Sequence, residues 1–335
     1  MKQYLLPFLV AFSACVLLLI VLLPLLRKLK AGQEILQYVT EHTSKQGTPT
    51  MGGIAFILST SIVALCFCGL SNKSIVVTIV VFVAYGVVGF LDDFLKIKFR
   101  HNMGLRAYQK IVVQLVIAIL VALFVYGDPT IGDKLYVPFL GTQVSVGRWI
   151  VPIVVFIYLA CTNGVNLTDG LDGLATGSSI CYFIGIFVLI YMQLGKLDLS
   201  GNTLVLAQRQ QMLVVVACTV GSLLAFSLFN CFPAKIFMGD VGSLALGALV
   251  ACSAIFTNLS LLIPILGLTF VVSCLSVIVQ VVYFKLSKGK RVFLMAPFHH
   301  HLQKKGLSET RIGTIYCIVT IIMAVLLICF GDCYV

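Results

Sequence analysis

The stretch IVVTIVVFVAYGVVGFLDDFLK, residues 75–96, decides the class of the chain. Ile75 to Leu91 carries no charge, and an apolar run of that length suits a helix crossing the hydrocarbon of a bilayer. The run closes on Asp92 and Asp93, with Lys96 one helical turn after Asp92. Two anions at the C-terminal end of a helix face a like-signed dipole end. A compensating cation is therefore predicted close by: Lys96, a divalent metal ion, or both. A juxtamembrane polar cap that faces water would show the same residues.

The rest of the chain repeats the pattern. Apolar residues make up 60% of the 335 and charged ones 10%, too little polar surface to cover a water-soluble globule. The runs have helical length, unlike the alternating segments of about ten residues that build a barrel. Ten spans are expected, at 4–26, 54–70, 75–95, 111–127, 148–162, 174–194, 212–232, 241–258, 261–286 and 312–331. The first is too long for a signal peptide and lacks its small-residue cleavage pattern. The predicted fold is an all-α integral membrane protein, a bundle of transmembrane helices forming a single polytopic domain over residues 1–335. Two short β-prone pieces around Gly141, between Asp128 and Gly147, predict a small extracytoplasmic hairpin. Gly195 to Gln211 is expected to hold a short surface helix. Most cysteines, from Cys15 to Cys329, fall in or beside apolar runs and read as buried small hydrophobes. Cys66 and Cys68 are too close for the usual zinc pair, so neither a disulfide nor zinc is expected.

Lysine and arginine set the orientation, because the side that retains them is normally cytoplasmic. Of 23 such residues, 17 fall in the connections after spans one, three, five, seven and nine, and six fall on the other side. Both termini are thus expected outside the cytoplasm. The same connections hold eight acids, which leaves nine positive charges in surplus, 17 minus eight. Topology and anionic lipid explain such a surplus, and so does an anionic substrate.

Those connections also hold residues a mere linker does not need. The first ends in Lys45-Gln46-Gly47-Thr48-Pro49-Thr50-Met51-Gly52-Gly53, where small residues before a helix either admit an anion to backbone amides or simply start the helix. The third, Asn163 to Gly173, packs Asn166, Asp169 and Asp172 among glycines; one carboxylate could cap the next helix, but one cap needs one oxygen. The fourth includes Asn230 and Phe237-Met238-Gly239-Asp240-Val241-Gly242-Ser243, in which Asp240 suits a cap or a metal ligand and Phe237 a base-stacking ledge. The last is Ala296-Pro297-Phe298-His299-His300-His301 in a basic loop. Consecutive histidines point apart and make a poor zinc site, but imidazoles can donate to phosphate. Carboxylates, lysines and histidines at one face, with no charge at mid-span, favour an enzyme over a secondary transporter, which would place ion-binding groups near the bilayer midplane.

Four of these motifs, Asp92-Asp93-Phe94-Leu95-Lys96, Asn166 to Gly173, Phe237 to Ser243 and Ala296 to His301, resemble the polyprenyl-phosphate N-acetylhexosamine-1-phosphate transferase superfamily, and most closely its muramoyl-pentapeptide branch. The resemblance runs from Gly47 to about Arg311, in order. It implies transfer of phospho-N-acetylmuramoyl-pentapeptide from UDP to undecaprenyl phosphate at the cytoplasmic face of a bacterial plasma membrane, with Mg²⁺ and release of UMP. On the family pattern, Asp240 is the Mg²⁺ ligand, Asp92 the base or orienter of the lipid phosphate and Asp93 its partner near the metal. Lys96, Lys110 and Lys45 would contact phosphate. Asn166, Asp169, Asp172, Asn230 and Phe237, with Thr50 and Gly239, would bind the nucleotide sugar, and His299, His300 and His301 would face its pyrophosphate or sugar. The family leaves two routes, direct attack by the lipid phosphate or a covalent phospho-sugar intermediate on an aspartate; direct attack is favoured, since a phosphate is already largely ionised at neutral pH. The partners implied are these two substrates and the bilayer; a homodimer is permitted and nucleic acid is not expected. The alternatives are a transferase for UDP-N-acetylglucosamine and, in a different class, a lipid or nucleotide-sugar transporter.

Overall fold

A computed structural model describes residues 2–28, 47–99, 104–138 and 140–330. Helices stand at all ten expected spans, as α1 (Lys2–Lys28), α2 (Gly53–Cys68), α3 (Lys73–Phe99), α4 (Ala107–Gly127), α5 (Ile150–Asn166), α6 (Leu174–Ser200), α7 (Thr203–Asn230), α8 (Gly239–Ile255), α10 (Leu268–Leu286) and α12 (Glu309–Cys329). Among the described residues, the short α9 (Ile263–Leu266) and α11 (Phe298–Lys304) complete the α-helices. Eight of the ten are long and apolar enough to cross a membrane, and α2 and α8 are shorter apolar helices. The protein is an all-α, multi-pass membrane protein with one small sheet among the described residues: β1 (Lys134–Val137) pairs antiparallel with β2 (Thr142–Ser145), around Gly141 at φ 63°.

α8 is the hub. Every residue from Val241 to Ile255 is buried, as expected of a helix that is apolar all round, and α2, α3, α5 and α6 pack on it. Since lipid tails are as apolar as leucine, helices in a bilayer associate by close packing, which small residues permit. Here the approach is backbone to backbone. A Cβ added at Gly53 would overlap Gly242 of α8, one at Gly89 would overlap the Asp240 carbonyl, and one at Gly247 would overlap Thr162 of α5. Outside this centre α1 packs on α7 and α2, α6 on α7 and α12, and α4 on α3 and α5.

Four expectations change. The third helix does not stop at Leu95 but runs to Phe99, so Asp92 and Asp93 lie more than a turn inside it, and Lys96 and Lys98 occupy the last turn, where cations are favoured. The fifth helix extends through Asn166, which moves Asn163 and Asn166 from the connection onto its last turn. No separate surface helix lies in 195–211, because α6 runs to Ser200 and α7 begins at Thr203. The ninth span is broken: a 3-10 turn (Ser260–Leu262) and α9, with Pro264 in its first turn, end at Gly267 before α10 starts.

Candidate active site

Gly89 brings α3 against the first turn of α8, and one turn further along α3 stand Asp92 and Asp93, both buried. Asp240 sits in the first turn of α8, the electropositive end of that helix. One carboxylate oxygen from each of the three lies within 4.8 Å of the others. Lys96 Nζ is 2.6 Å from Asp92 Oδ2, 2.9 Å from Asp240 Oδ2 and 3.5 Å from Asp93 Oδ1. Lys110 Nζ, from α4, is 2.6 Å from Asp240 Oδ2 and 3.3 Å from Asp92 Oδ2. The cation predicted beside the acidic pair is therefore present twice.

Backbone and amide groups fix the carboxylates further. Leu105 N–H donates to Asp92 Oδ1 at 2.8 Å and Val241 N–H to Asp93 Oδ2 at 3.3 Å. Asn166 Nδ2 donates to Asp240 Oδ1 at 2.7 Å and to Ser243 Oγ at 2.8 Å. Three carboxylates against two ammonium groups leave one negative charge uncompensated. That surplus and an all-oxygen donor set suit a hard divalent cation. Asp92, Asp93 and Asp240 could hold such a metal ion. The sequence assigned that role to Asp240 alone.

The other anticipated residues divide. Gly239 adopts φ 71°, and an added Cβ would meet Asp93 Oδ2 and Thr50 Oγ1, so Thr50 and Gly239 adjoin the cluster. Asp169 is half-buried in the turn after α5. Desolvation first, then the carboxylates of Asp240, Asp93 and Asp172, push it up to about 8. Phe237 is half-buried next to the motif; its N–H donates to Pro49 O, and Gly52 and Gly53 donate to the Phe237 and Met238 carbonyls at 2.8 and 3.0 Å. Those two glycine amides thus zip the segment before α2 to the segment before α8 and are not free for an anion. Asp172 accepts from Ala234 N–H at 2.9 Å. Asn230 is engaged at both ends, accepting from Thr176 Oγ1 at 2.6 Å and donating to Ile236 O at 2.9 Å, and so shapes the turn that carries Phe237. Lys45 lies outside the described residues.

The three histidines occupy α11, whose start is tied to α10 by Phe298 N–H donating to Ser276 Oγ. They point in different directions, as neighbours on a helix must. His299 is buried against His300, with ring centroids 4.3 Å apart, and faces Gly170, the residue after Asp169. Burial, with the His300 ring beside it, holds His299 down at about 3, so it is neutral at physiological pH. His300 also faces Gly170, and its Nδ1 lies 3.2 Å from Gln303 Oε1. His301 turns away: its Nδ1 accepts from Leu294 N–H at 3.1 Å and its ring packs on Phe293 and Phe298. Ser243 and Leu105 were missed as supports. Ser243 stood in the quoted motif one turn after Asp240, while nothing in the sequence marks a backbone N–H.

A multi-pass bundle with a carboxylate and lysine centre at one end defines a class of membrane-embedded enzymes handling anionic groups. The sequence profile of glycosyl transferase family 4 matches residues 75–258, and a phospho-N-acetylmuramoyl-pentapeptide-transferase signature matches residues 45–57. Proteins named phospho-N-acetylmuramoyl-pentapeptide-transferase from Clostridioides difficile (strain 630) and Clostridium botulinum (strain Eklund 17B / Type B) are each 40% identical, over 94% and 95% of this chain and 94% and 93% of their own lengths. One from Clostridium perfringens (strain 13 / Type A) is 41% identical over 90% of both chains. The chain belongs to glycosyl transferase family 4, within its phospho-N-acetylmuramoyl-pentapeptide-transferase branch.

Proposed function

We propose that this protein transfers phospho-N-acetylmuramoyl-pentapeptide from its UDP carrier to undecaprenyl phosphate, in peptidoglycan synthesis, at the cytoplasmic face of a bacterial plasma membrane. The observation that carries the reading is the convergence of Asp92, Asp93, Asp240, Lys96 and Lys110 at the start of the central helix, in a chain 40% identical to transferases of that name. A non-bridging oxygen of the lipid phosphate attacks the phosphorus that carries the sugar. A new P–O–P bond forms, the bond from that phosphorus to the oxygen bridging to UMP breaks, and UMP departs with the electron pair.

Two anions must meet, so the chain first has to suppress their repulsion. Lys96 and Lys110 exchange part of their contact with Asp240 and Asp92 for phosphate oxygens as substrate arrives, and their fixed charges hold the incoming phosphate in line. Asp240, with Asp92 and Asp93, would hold Mg²⁺. Bound there, Mg²⁺ supplies positive charge to the pyrophosphate and the leaving UMP. Asp92 orients the lipid phosphate or takes its last proton. Asn166 keeps Asp240 turned toward the site, and Asp169, Asp172, Asn230, Phe237, Thr50 and Gly239 form or brace the nucleotide-sugar pocket. His299 lines it near Gly170 as a neutral imidazole with His300 beside it, and His301 braces the loop behind them. Lys45 is proposed as a further phosphate contact.

Purified protein with undecaprenyl phosphate, Mg²⁺ and UDP-N-acetylmuramoyl-pentapeptide should release UMP, and EDTA should stop it. Release only with UDP-N-acetylglucosamine would transfer the protein to the other branch, and substrate movement without UMP would make it a transporter.

A further inference from the structure

Only one side chain in the first two turns of α4 points into the protein. From Arg106 to Val113 every residue is exposed except Lys110, and the first fully buried residue of the helix is Gln114, one turn further on the same face. A glutamine wholly buried in an apolar helix is unfavourable unless its polar atoms are engaged. Gln114 Oε1 accepts from Asn163 Nδ2 of α5 at 2.9 Å, which engages one end of the amide, while the buried Nε2 has no hydrogen-bond partner among the described residues. Its backbone carbonyl accepts from Tyr85 Oη of α3 at 3.0 Å. Gln114 therefore fastens α4 to the two helices that carry Asn166 and Asp92. Asn163 stands one turn before Asn166 on α5, and Tyr85 two turns before Asp92 on α3.

We infer that Gln114 is a positioning residue for Lys110: the clamp to Asn163 and Tyr85 sets the height and rotation of α4 that place the Lys110 ammonium on Asp240 and Asp92. Nothing else on α4 before Gln114 is buried to do this. The inference rests on the phosphate-handling role proposed for Lys110, and the clamp itself can be tested without that role.

Two readouts decide it. In Gln114→Met, which keeps the bulk and loses the acceptor, UMP release should fall about tenfold to a hundredfold. The same change made in a Lys110→Met background should then produce no further loss, because the element it positions is already gone. Independently of activity, acylation of the folded protein by an amine-reactive ester, read by peptide mass spectrometry, should modify Lys110 several-fold faster in Gln114→Met than in the unaltered chain. Lys96, held from α3, should be unchanged. Asn163→Leu removes the donor from the other side and should give the same labelling pattern, which covers the case in which Gln114→Met does not fold. Equal Lys110 labelling in the variants, release of Lys96 as well, or additive losses in the cycle would overturn the clamp. Full activity of Lys110→Met would overturn the catalytic role of that lysine, leaving the labelling to judge Gln114.

Discussion

Asp240 accepts from two ammonium groups and one amide while standing beside two further carboxylates, and of the three acids it is the most fully paired. Replacing it by asparagine leaves two lysines facing two aspartates, a balanced set. The expected outcome for Asp240→Asn is a thermal midpoint in detergent that is unchanged or higher, with UMP release reduced about 10²- to 10³-fold. A loss of both together would mark Asp240 as a structural residue. The pairing of Lys96 with Asp92 was legible from spacing alone, since residues four apart share a helix face. Lys110 and Asp240 were legible as types but not as partners. Their meeting depends on how α4 and α8 lie against α3, and no periodicity within either helix encodes that.

The crossing of α3 over α8 depends on what Gly89 lacks. A methyl group there would overlap the Asp240 carbonyl, so the two helices must separate and the carboxylates they carry must part. Gly89→Ala is expected to destabilise the fold by about 1–3 kcal/mol through overpacking, measured as a lowered thermal midpoint, and to reduce turnover with it. Gly313→Ala is the control: nothing lies within 4 Å of a Cβ built there, in the second turn of α12, so stability should hold or rise slightly. Element existence was readable because each apolar run has bilayer length. Element ends were not: α3 overruns its carboxylates since Lys96 and Lys98 suit a helix C-terminus, and α5 takes in Asn163 and Asn166 since their side chains find partners on α4 and α8. The break at Gly267 was signalled by Pro264 but masked by the apolar residues around both.

At the scale of the molecule, the described site residues gather at one end of the bundle, and the hairpin β1–β2 packs by the turn after α8, at the helix's far end. Charge asymmetry predicts a cytoplasmic site end, and a protease can test it. Lys288, Lys290 and Arg291 are exposed between α10 and α11, so trypsin should cut there in inside-out vesicles and not in right-side-out ones. The reverse pattern would invert the orientation. That the histidine loop, the α3 end and the α8 start share one end was legible from counting spans, because an odd number of crossings separates each site connection from the far side. That α8 is the buried centre was not, for its composition resembles the lipid-facing helices. Its size carries a kinetic meaning. Seventeen residues rise about 26 Å, slightly less than the ~30 Å of hydrocarbon, whereas α3 is long enough to overshoot it. A helix of that length crossing the hydrocarbon would set Asp240 near the plane where acyl chains give way to headgroups, the level at which a polyprenyl phosphate carries its phosphate. One substrate then arrives by sliding within a leaflet and the other by diffusing through water. Turnover accordingly follows the mole fraction of the first in the membrane and the bulk concentration of the second, so diluting the bilayer with inert lipid slows the reaction while the total amounts stay constant.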